Sequence, residues 1–195
     1  MMKPSANIPR NMIENLSALS LLQIFTYVLP LLTLPYLLKV LGVEKFGILA
    51  FAHTVVVFFN VFIDYGFGIF ATREISINRN SKNKLIEIYS AVLTVKVSML
   101  FLAFICMNIL VVSIDVLKDN WDIYNYTFLW AVGQAFFPVW YFQGIEKMKY
   151  ITLVNVLARG VFTLLVFVVV KQEADYIYVP ILNGVGFILG SLISV

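Results

Sequence analysis

Six apolar segments follow one another along this chain, and each approaches or exceeds the length that crosses a bilayer. Their estimated bounds are residues 16–41, 46–70, 85–114, 124–145, 150–170 and 177–195. A bilayer core of about 30 Å requires about 20 apolar residues in helical form. Of the 195 residues, 61% are hydrophobic and 13% are charged, whereas soluble domains average about 45–50% and about 25%. The sequence therefore predicts an all-α integral membrane protein, with residues 1–195 forming one membrane domain built as a six-transmembrane-helix bundle.

The polar residues exclude several other classes of protein. A single cysteine, Cys106, lies inside an apolar segment, so no intramolecular disulfide can form. The net charge of +3 comes from basic residues between the spans, which does not indicate nucleic-acid binding. His53 is the single histidine and no carboxylates cluster near it, which favours a packed, hydrogen-bonded side chain over a metal ligand. We expect neither a metal nor another cofactor.

The distribution of lysine and arginine predicts how the chain is oriented. The segment before the first span, the loop of residues 71–84 and the turn after the fourth span hold eight basic residues: Lys3, Arg10, Arg73, Arg79, Lys82, Lys84, Lys147 and Lys149. The three alternate loops hold four: Lys39, Lys45, Lys118 and Lys171. Because cytoplasmic loops carry the excess of basic residues, the N-terminus is predicted to be cytoplasmic.

The fifth apolar segment carries Arg159 close to its middle. A lone arginine at the bilayer centre costs about 2.5–3.5 kcal/mol on insertion scales, so its presence predicts a partner that faces it. Thr152, Asn155, Arg159 and Thr163 are spaced three, four and four residues apart, which places them on one helical face. We expect this polar stripe to face the interior of the bundle. A structural ion pair between Arg159 and a carboxylate stays open as the alternative.

Two further charges lie inside predicted spans and away from the span ends, Asp64 in the second and Lys96 in the third. Asp64 could be a proton or cation site, the partner of a basic residue, or an interfacial residue at the end of its helix. Lys96 could face the interior of the bundle, face another lobe, or pair with Asp64. The helical period does not decide between these alternatives, because Lys96 is turned about 200° from the weakly polar stripe that contains Thr94.

Prolines, glycines and aromatic residues indicate where the spans bend or pack. Pro30 and Pro35 predict a packing kink or a hinge in the first span, because proline removes a backbone donor from a helix. Pro138 predicts a break near the cytoplasmic end of the fourth span. The rings of that span suit an aromatic belt at the headgroup level, or a cavity wall that contacts sugar or lipid. Gly186 and Gly190 form a GxxxG pair, which is typical of close helix packing in membranes.

The order of several short motifs resembles one family of membrane transporters. The motifs are Gln23, Tyr27, Pro30, Pro35-Tyr36, Leu41-Gly42, Phe46-Gly47, Asp64-Tyr65-Gly66-Phe67, Thr72-Arg73-Glu74 and the run PVWYFQGIEKM from Pro138 to Met148. Together they are similar to Wzx-type O-antigen flippases, in the polysaccharide transporter branch of the multidrug/oligosaccharidyl-lipid/polysaccharide superfamily. Each motif is weak alone, but their order and spacing are fairly specific and cover essentially the whole chain.

The resemblance implies a carrier of about twelve helices in two six-helix lobes around a central cavity. Such a carrier moves an undecaprenyl-pyrophosphate-linked oligosaccharide repeat unit from the cytoplasmic to the periplasmic leaflet of the bacterial inner membrane by alternating access. This chain ends at Val195 inside the sixth span, so we expect it to be truncated, or to be the N-terminal lobe of a longer protein. Its expected partners are the lipid-linked oligosaccharide, membrane lipid, the missing C-terminal lobe and other polysaccharide assembly proteins.

A lipid pyrophosphate needs cations to replace its lost hydration, and arginine forms strong, often bidentate hydrogen bonds with phosphate. Arg159 is therefore the first candidate for substrate binding and Lys96 the second. Asn155 and Thr152 share the face of Arg159 and are candidates for contacts with sugar or phosphate oxygens. Asp64 is the candidate for coupling to a proton or a sodium ion. No catalytic residue is expected.

Three other functions compete with this interpretation. A drug or cation antiporter of the related multidrug branch would favour an acidic cavity, whereas the central spans carry Arg159 and Lys96 against Asp64 alone. A membrane glycosyltransferase or polymerase would need a sizeable extramembrane loop or paired carboxylates near the surface, and the loops here are short. An inactive fragment or a non-transporting scaffold is the third alternative.

Overall fold

The chain folds into a bundle of α-helices. The computed structural model describes the backbone of residues 10–194 and the side chains of Ser20 and residues 23–192. The described part holds eight α-helices and no strand: α1 Arg10–Asp64, α2 Phe67–Ile77, α3 Lys82–Ser113, α4 Asp115–Lys118, α5 Trp121–Phe136, α6 Val139–Gly144, α7 Met148–Val169 and α8 Tyr178–Ser194, with a 3-10 turn at Glu173–Ile177 before α8. Lys3 of the predicted cytoplasmic N-terminus and Val195 of the predicted sixth span lie outside the described residues.

Helix α1 consists of two arms that meet at Gly42. This glycine has φ 74° and ψ 169°, a non-helical conformation that a residue with a Cβ adopts at a cost. Residues 10–41 form the first arm and residues 43–64 the second. The first two predicted spans, 16–41 and 46–70, therefore fall on opposite sides of Gly42. Pro30 and Pro35 lie within the first arm, which stays helical through both.

A second break separates the second arm from α2. The second arm ends at Asp64, Tyr65 has φ 37° and Gly66 has φ 78°, so the helical path stops two residues before α2 begins. The predicted second span ran on to residue 70, and residues 71–84 were predicted as a loop. The structure instead places residues 67–77 in α2, because the left-handed conformation at Gly66 starts a new helix that runs into the predicted loop.

The fourth predicted span is broken at Pro138, where the sequence indicated a break. Helix α5 ends at Phe136, and α6 begins at Val139 and packs against α2. The hydroxyl of Thr72 donates to the carbonyl of Gly68 in its own helix at 2.6 Å and also lies 3.2 Å from the carbonyl oxygen of Trp140. A Cβ on Gly144 would lie 2.5 Å from Cγ2 of Ile75. Two of the family-like motifs, one in α2 and one in α6, are therefore in direct contact.

Helix α8 packs on α7 through the GxxxG pair. A Cβ on Gly186 would meet the carbonyl oxygen of Ala158 at 3.2 Å, and one on Gly190 would meet Cγ1 of Val154 at 3.0 Å. The predicted close packing of these two glycines is confirmed. It brings α8 beside the part of α7 that carries Arg159.

Helix α8 also packs tightly on α5, where a single methyl group would be harmful. A Cβ on Gly133 would lie 2.7 Å from the backbone carbon of Phe187, and backbone cannot rotate away as a side chain can. We expect Gly133→Ala to lower the free energy of unfolding by about 1–3 kcal/mol through overpacking, measured by thermal unfolding in detergent. Gly160→Ala is the matched control, because apart from the backbone of its own helix no heavy atom lies within 4 Å of its new methyl group. Equal stability of the two variants would contradict the close α5–α8 contact.

Four helices of the described part are long and apolar enough to cross a membrane, judged by length and composition: Gln23–Ile77, Lys82–Ser113, Met148–Val169 and Glu173–Leu192. The first of these stretches runs through Gly42 and through the break at Tyr65 and Gly66; it includes residues 23–41 of the first predicted span and all of the second. Helix α5 has only 16 residues. The fold is therefore an all-α membrane bundle that crosses the bilayer several times. That the chain crosses it six times stays a prediction.

Candidate functional site

Five helical segments surround a cavity of about 250 Å³ that contains Arg159. The first arm, the second arm, α5, α7 and α8 each contribute lining residues, which are Leu29, Pro30, Thr33, His53, Trp130, Arg159, Phe162, Thr163, Asn183 and Phe187. We call this space the Arg159 cavity. At Arg159 and Thr163, the polar face predicted on the fifth span thus lines a cavity within the bundle.

The guanidinium of Arg159 has unused hydrogen-bonding capacity. Its Nε is buried and makes no hydrogen bond to any described residue, and no described carboxylate forms a salt bridge with Arg159. A charged group that has lost its water without gaining a partner is costly in a protein interior. The alternative of a structural ion pair within residues 23–192 is therefore not found, and an anion that enters the cavity would complete the site.

A second cavity of about 460 Å³ adjoins the first. The two share Pro30, Thr33, His53, Phe162 and Asn183 as lining residues. The second cavity adds Leu34, Leu37, Phe46, Leu49, Ala50, Thr54, Thr127, Val179 and Pro180, none of which carries a charge. We call it the uncharged compartment, and the two cavities together the cleft. The cleft has its arginine at one end and neutral hydrogen-bonding groups at the other.

Aromatic rings form one wall of the Arg159 cavity. The imidazole of His53 lies against the indole of Trp130 with ring centroids 5.1 Å apart, and Trp130 meets Phe187 edge-on at 6.2 Å. Trp130 is one of the rings of the predicted fourth span. Of the two alternatives for those rings, an aromatic belt or a cavity wall, Trp130 takes the second. His53 packs as predicted, but the hydrogen bond expected of it is not found among the described residues.

Thr152 and Asn155 lie on the same helix as Arg159 but do not line the cleft. Thr152 is buried, and its hydroxyl donates to the carbonyl of Met148 at 3.3 Å. The amide of Asn155 donates to the carbonyl of Ile151 at 2.9 Å. Both hydrogen bonds run within α7 towards its N-terminus, as expected for short polar side chains on a helix. Their role as substrate contacts stays a prediction.

Lys96 and Asp64 form an ion pair away from the cleft. Nζ of Lys96 lies 2.7 Å from Oδ1 of Asp64; 4% of the lysine side chain and 52% of the aspartate side chain are exposed. Asn60, one turn before Asp64, donates from Nδ2 to Oδ2 at 3.4 Å, and its Oδ1 is buried without a described partner. The alternative that Lys96 pairs with Asp64 is confirmed. Neither residue lines the Arg159 cavity, so their roles in substrate binding and ion coupling stay predictions.

Two polar residues that line both cavities were not assigned a role from the sequence. Asn183 on α8 and Thr33 on the first arm line both cavities. Asn183 makes no hydrogen bond to a described residue, while Thr33 donates to the carbonyls of Leu29 and Pro30. Each is an isolated polar residue in an apolar segment, which is the same signal that identified Arg159. Isolation alone does not tell which neighbouring helix such a residue faces.

No three histidine, cysteine, aspartate or glutamate side chains come together within the described residues. The cleft therefore offers hydrogen-bonding groups and one guanidinium, and no set of metal ligands in the part of the chain that the structure describes.

Comparison with known proteins identifies the family. The family description "Polysaccharide biosynthesis protein" matches residues 12–195, nearly the whole chain. The chain belongs to this polysaccharide biosynthesis family. The resemblance of the short motifs to polysaccharide transporters is thereby confirmed, and the members compared below carry transporter names.

Two relatives carry the name "Putative O-antigen transporter". The one from Escherichia coli (strain K12) is 34% identical over 163 residues, which cover 83% of this chain and 39% of the relative. The one from Shigella dysenteriae is 30% identical over 184 residues, which cover 93% of this chain and 46% of the relative. The chain thus spans less than half the length of either relative. No solved structure matches the chain at a significant level.

Proposed function

We propose that this chain is the N-terminal lobe of a transporter that moves undecaprenyl-pyrophosphate-linked O-antigen or polysaccharide repeat units from the cytoplasmic to the periplasmic leaflet. The observation that carries the proposal is the guanidinium of Arg159, which faces a cavity in an apolar bundle and has no partner among the described residues. A pyrophosphate is a fitting partner, because arginine binds phosphate oxygens through bidentate, charge-assisted hydrogen bonds.

The proposed setting is the bacterial inner membrane, with the N-terminus in the cytoplasm. The excess of basic residues before the first span, around α2 and after α6 supports this orientation. Transport would occur by alternating access between this lobe and a C-terminal lobe, as in transporters whose substrate site lies between two halves. That lobe and other polysaccharide assembly proteins are the proposed protein partners.

The proposed coupling residue is Asp64. Its carboxylate lies at the end of the second arm, beside a left-handed turn, and is half exposed while its partner Lys96 is buried. A proton or sodium ion that reached the carboxylate would compete with the ammonium of Lys96. Such competition would link ion binding to the position of α3 relative to the second arm.

A drug or cation antiporter is the second candidate, and the cleft argues against it. Cationic cargo requires acidic groups to offset its desolvation. The described lining of the cleft contains Arg159 and no aspartate or glutamate. Its electrostatics therefore favour an anionic cargo.

The test is a transport assay with the protein made from its complete gene and reconstituted in vesicles. We expect it to move a polyprenyl-diphosphate-linked sugar between leaflets and to leave a cationic dye in place. A strain that lacks the gene should accumulate lipid-linked repeat units on the cytoplasmic side of its membrane. Normal surface polysaccharide in that strain, with dye transport in the vesicles, would instead support the antiporter.

A further inference from the structure

The uncharged compartment has a defined place in the cleft. It adjoins the Arg159 cavity through shared residues, among them His53 and Asn183, and its volume of about 460 Å³ is the larger of the two. Small-molecule sites usually measure about 300–1,000 Å³. A ligand with an anionic group at Arg159 could therefore continue into a space that accommodates a further ring.

The hydroxyl groups of this compartment are arranged as hydrogen-bond acceptors. Thr33, Thr54 and Thr127 donate to carbonyl oxygens of their own helices at 3.1, 2.9 and 2.6 Å. A hydroxyl that donates in this way keeps its oxygen lone pairs for a ligand. Since sugar hydroxyl groups are donors, they complement these oxygens.

The side chains that both cavities share supply the remaining polarity. Asn183 and His53 make no hydrogen bond to a described residue, so the amide and the imidazole are free to bind a ligand. An amide presents two donors and an acceptor, and a neutral imidazole presents one of each. Together with the threonine oxygens they match a neutral polyhydroxylated ring and provide no cation for a carboxylate.

We propose that the uncharged compartment holds the sugar attached directly to the diphosphate, and that it selects an uncharged sugar over a uronic acid. This inference rests on the proposed function, because that function places the diphosphate at Arg159. A uronic acid would bring a carboxylate into a space without a cation, where a desolvated charge is costly. The alternative position for its carboxylate is Arg159 itself, where it would displace the diphosphate.

The test compares two cargo lipids that differ at one carbon. Polyprenyl-diphosphate-linked glucose and the corresponding glucuronic acid lipid have the same ring, and only C6 is oxidised to a carboxylate in the second. With the complete protein in vesicles, we expect the glucose lipid to move at least about tenfold faster, a modest discrimination for an unpaired charge in a binding site. Equal rates for the two lipids would overturn the inference.

A cation placed in the compartment should weaken the discrimination. Thr54 lines the compartment and is exposed, so Thr54→Lys should admit the ammonium group without rearranging the core. We expect the glucose-to-glucuronate rate ratio to fall at least about fivefold, since the new charge pairs with the carboxylate. Because the readout is a ratio within one preparation, partial loss of folded protein cancels from it.

The matched control is Thr94→Lys, which makes the same change at an exposed threonine of α3 that does not line the cleft. Its ratio should equal that of the unaltered protein. An unchanged ratio in Thr54→Lys, or an equal fall in Thr94→Lys, would overturn the inference. If the unaltered protein moves neither lipid, the proposed function itself fails, which is a different outcome from equal movement of both lipids.

Discussion

Replacing Arg159 with alanine should slow transport of a polyprenyl-diphosphate-linked sugar at least about thirtyfold. Losing one partner of a buried, hydrogen-bonded charge pair costs about 2–5 kcal/mol, and each 1.4 kcal/mol corresponds to about tenfold. The guanidinium of Arg159 lies in the cavity without a described partner, so we expect its interaction energy to be gained from the cargo. Initial transport rates in vesicles of the complete protein measure the effect.

The same substitution should leave the stability of the empty protein unharmed. Arg159 is half-buried and its Nε is buried without a described partner, so its removal takes an unfavourable term from the folded state. Thermal unfolding in detergent without cargo should therefore give Arg159→Ala a midpoint no lower than that of the unaltered protein. A large fall in this midpoint would indicate that Arg159 has a structural partner and would remove its assignment to the cargo.

Two variants sharpen the interpretation of the Arg159 result. Arg159→Lys keeps the charge but loses the bidentate geometry. Its transport rate should therefore lie between the rates of the unaltered protein and of Arg159→Ala. Arg79→Ala removes an arginine whose salt bridge to Glu146 is exposed, at 3.3 Å, and exposed pairs contribute little. Its rate should stay within about twofold of the unaltered protein, consistent with that small contribution. Full activity in both Arg159 variants would remove this residue from the mechanism.

The second large effect is an asymmetry between Asp64 and Lys96. Asp64→Ala leaves the buried ammonium of Lys96 without a counter-charge, whereas Lys96→Met leaves a carboxylate on a half-exposed side chain. Breaking a buried pair costs about 3–5 kcal/mol. Because Asp64 is half exposed, we expect a smaller loss for Asp64→Ala, about 2 kcal/mol. We expect Lys96→Met to change stability by less than about 1 kcal/mol.

Thermal unfolding of the two single variants and the double variant measures this asymmetry. A loss of about 2 kcal/mol should lower the midpoint of Asp64→Ala by about 4–8 °C. The double variant Asp64→Ala with Lys96→Met should recover most of that fall, because the charge that lost its partner is also gone. Equal losses in the two single variants, with no recovery in the double variant, would show that the buried ammonium is not what destabilises Asp64→Ala.

Several local features could be read directly from the chain. The break at Pro138 and the close packing of Gly186 and Gly190 depend on properties of single residues or of one helical face, and both appear in the structure. The second span was predicted too long because periodicity carries no information about φ. The left-handed turn at Tyr65 and Gly66 lies inside an apolar run that looks continuous.

The sequence did not predict which helices pack against one another. No sequence pattern links Gly133 to Gly184, so the contact between α5 and α8 was not predicted. In the structure both glycines lie at that contact, Gly133 against Phe187 and Gly184 against Leu129. Likewise, the polar stripe on α7 was predicted as one unit. The structure divides it, with Arg159 and Thr163 in the cleft lining and Thr152 and Asn155 outside it. A helical face spans a broad arc, and only the position of the next helix determines which part of that arc is covered.

The sequence by itself determined that this protein is an all-α membrane bundle with a positive charge inside an apolar helix. Apolar length requires that class, because only a structure that satisfies its own backbone hydrogen bonds is stable in lipid. Only the tertiary structure decided that Arg159 lines one cavity with Thr33, His53 and Asn183 while Lys96 pairs with Asp64 elsewhere. The cavity brings together residues about 150 positions apart in the sequence, such as Thr33 and Asn183, and this arrangement depends on helix packing, which no local pattern along the chain encodes.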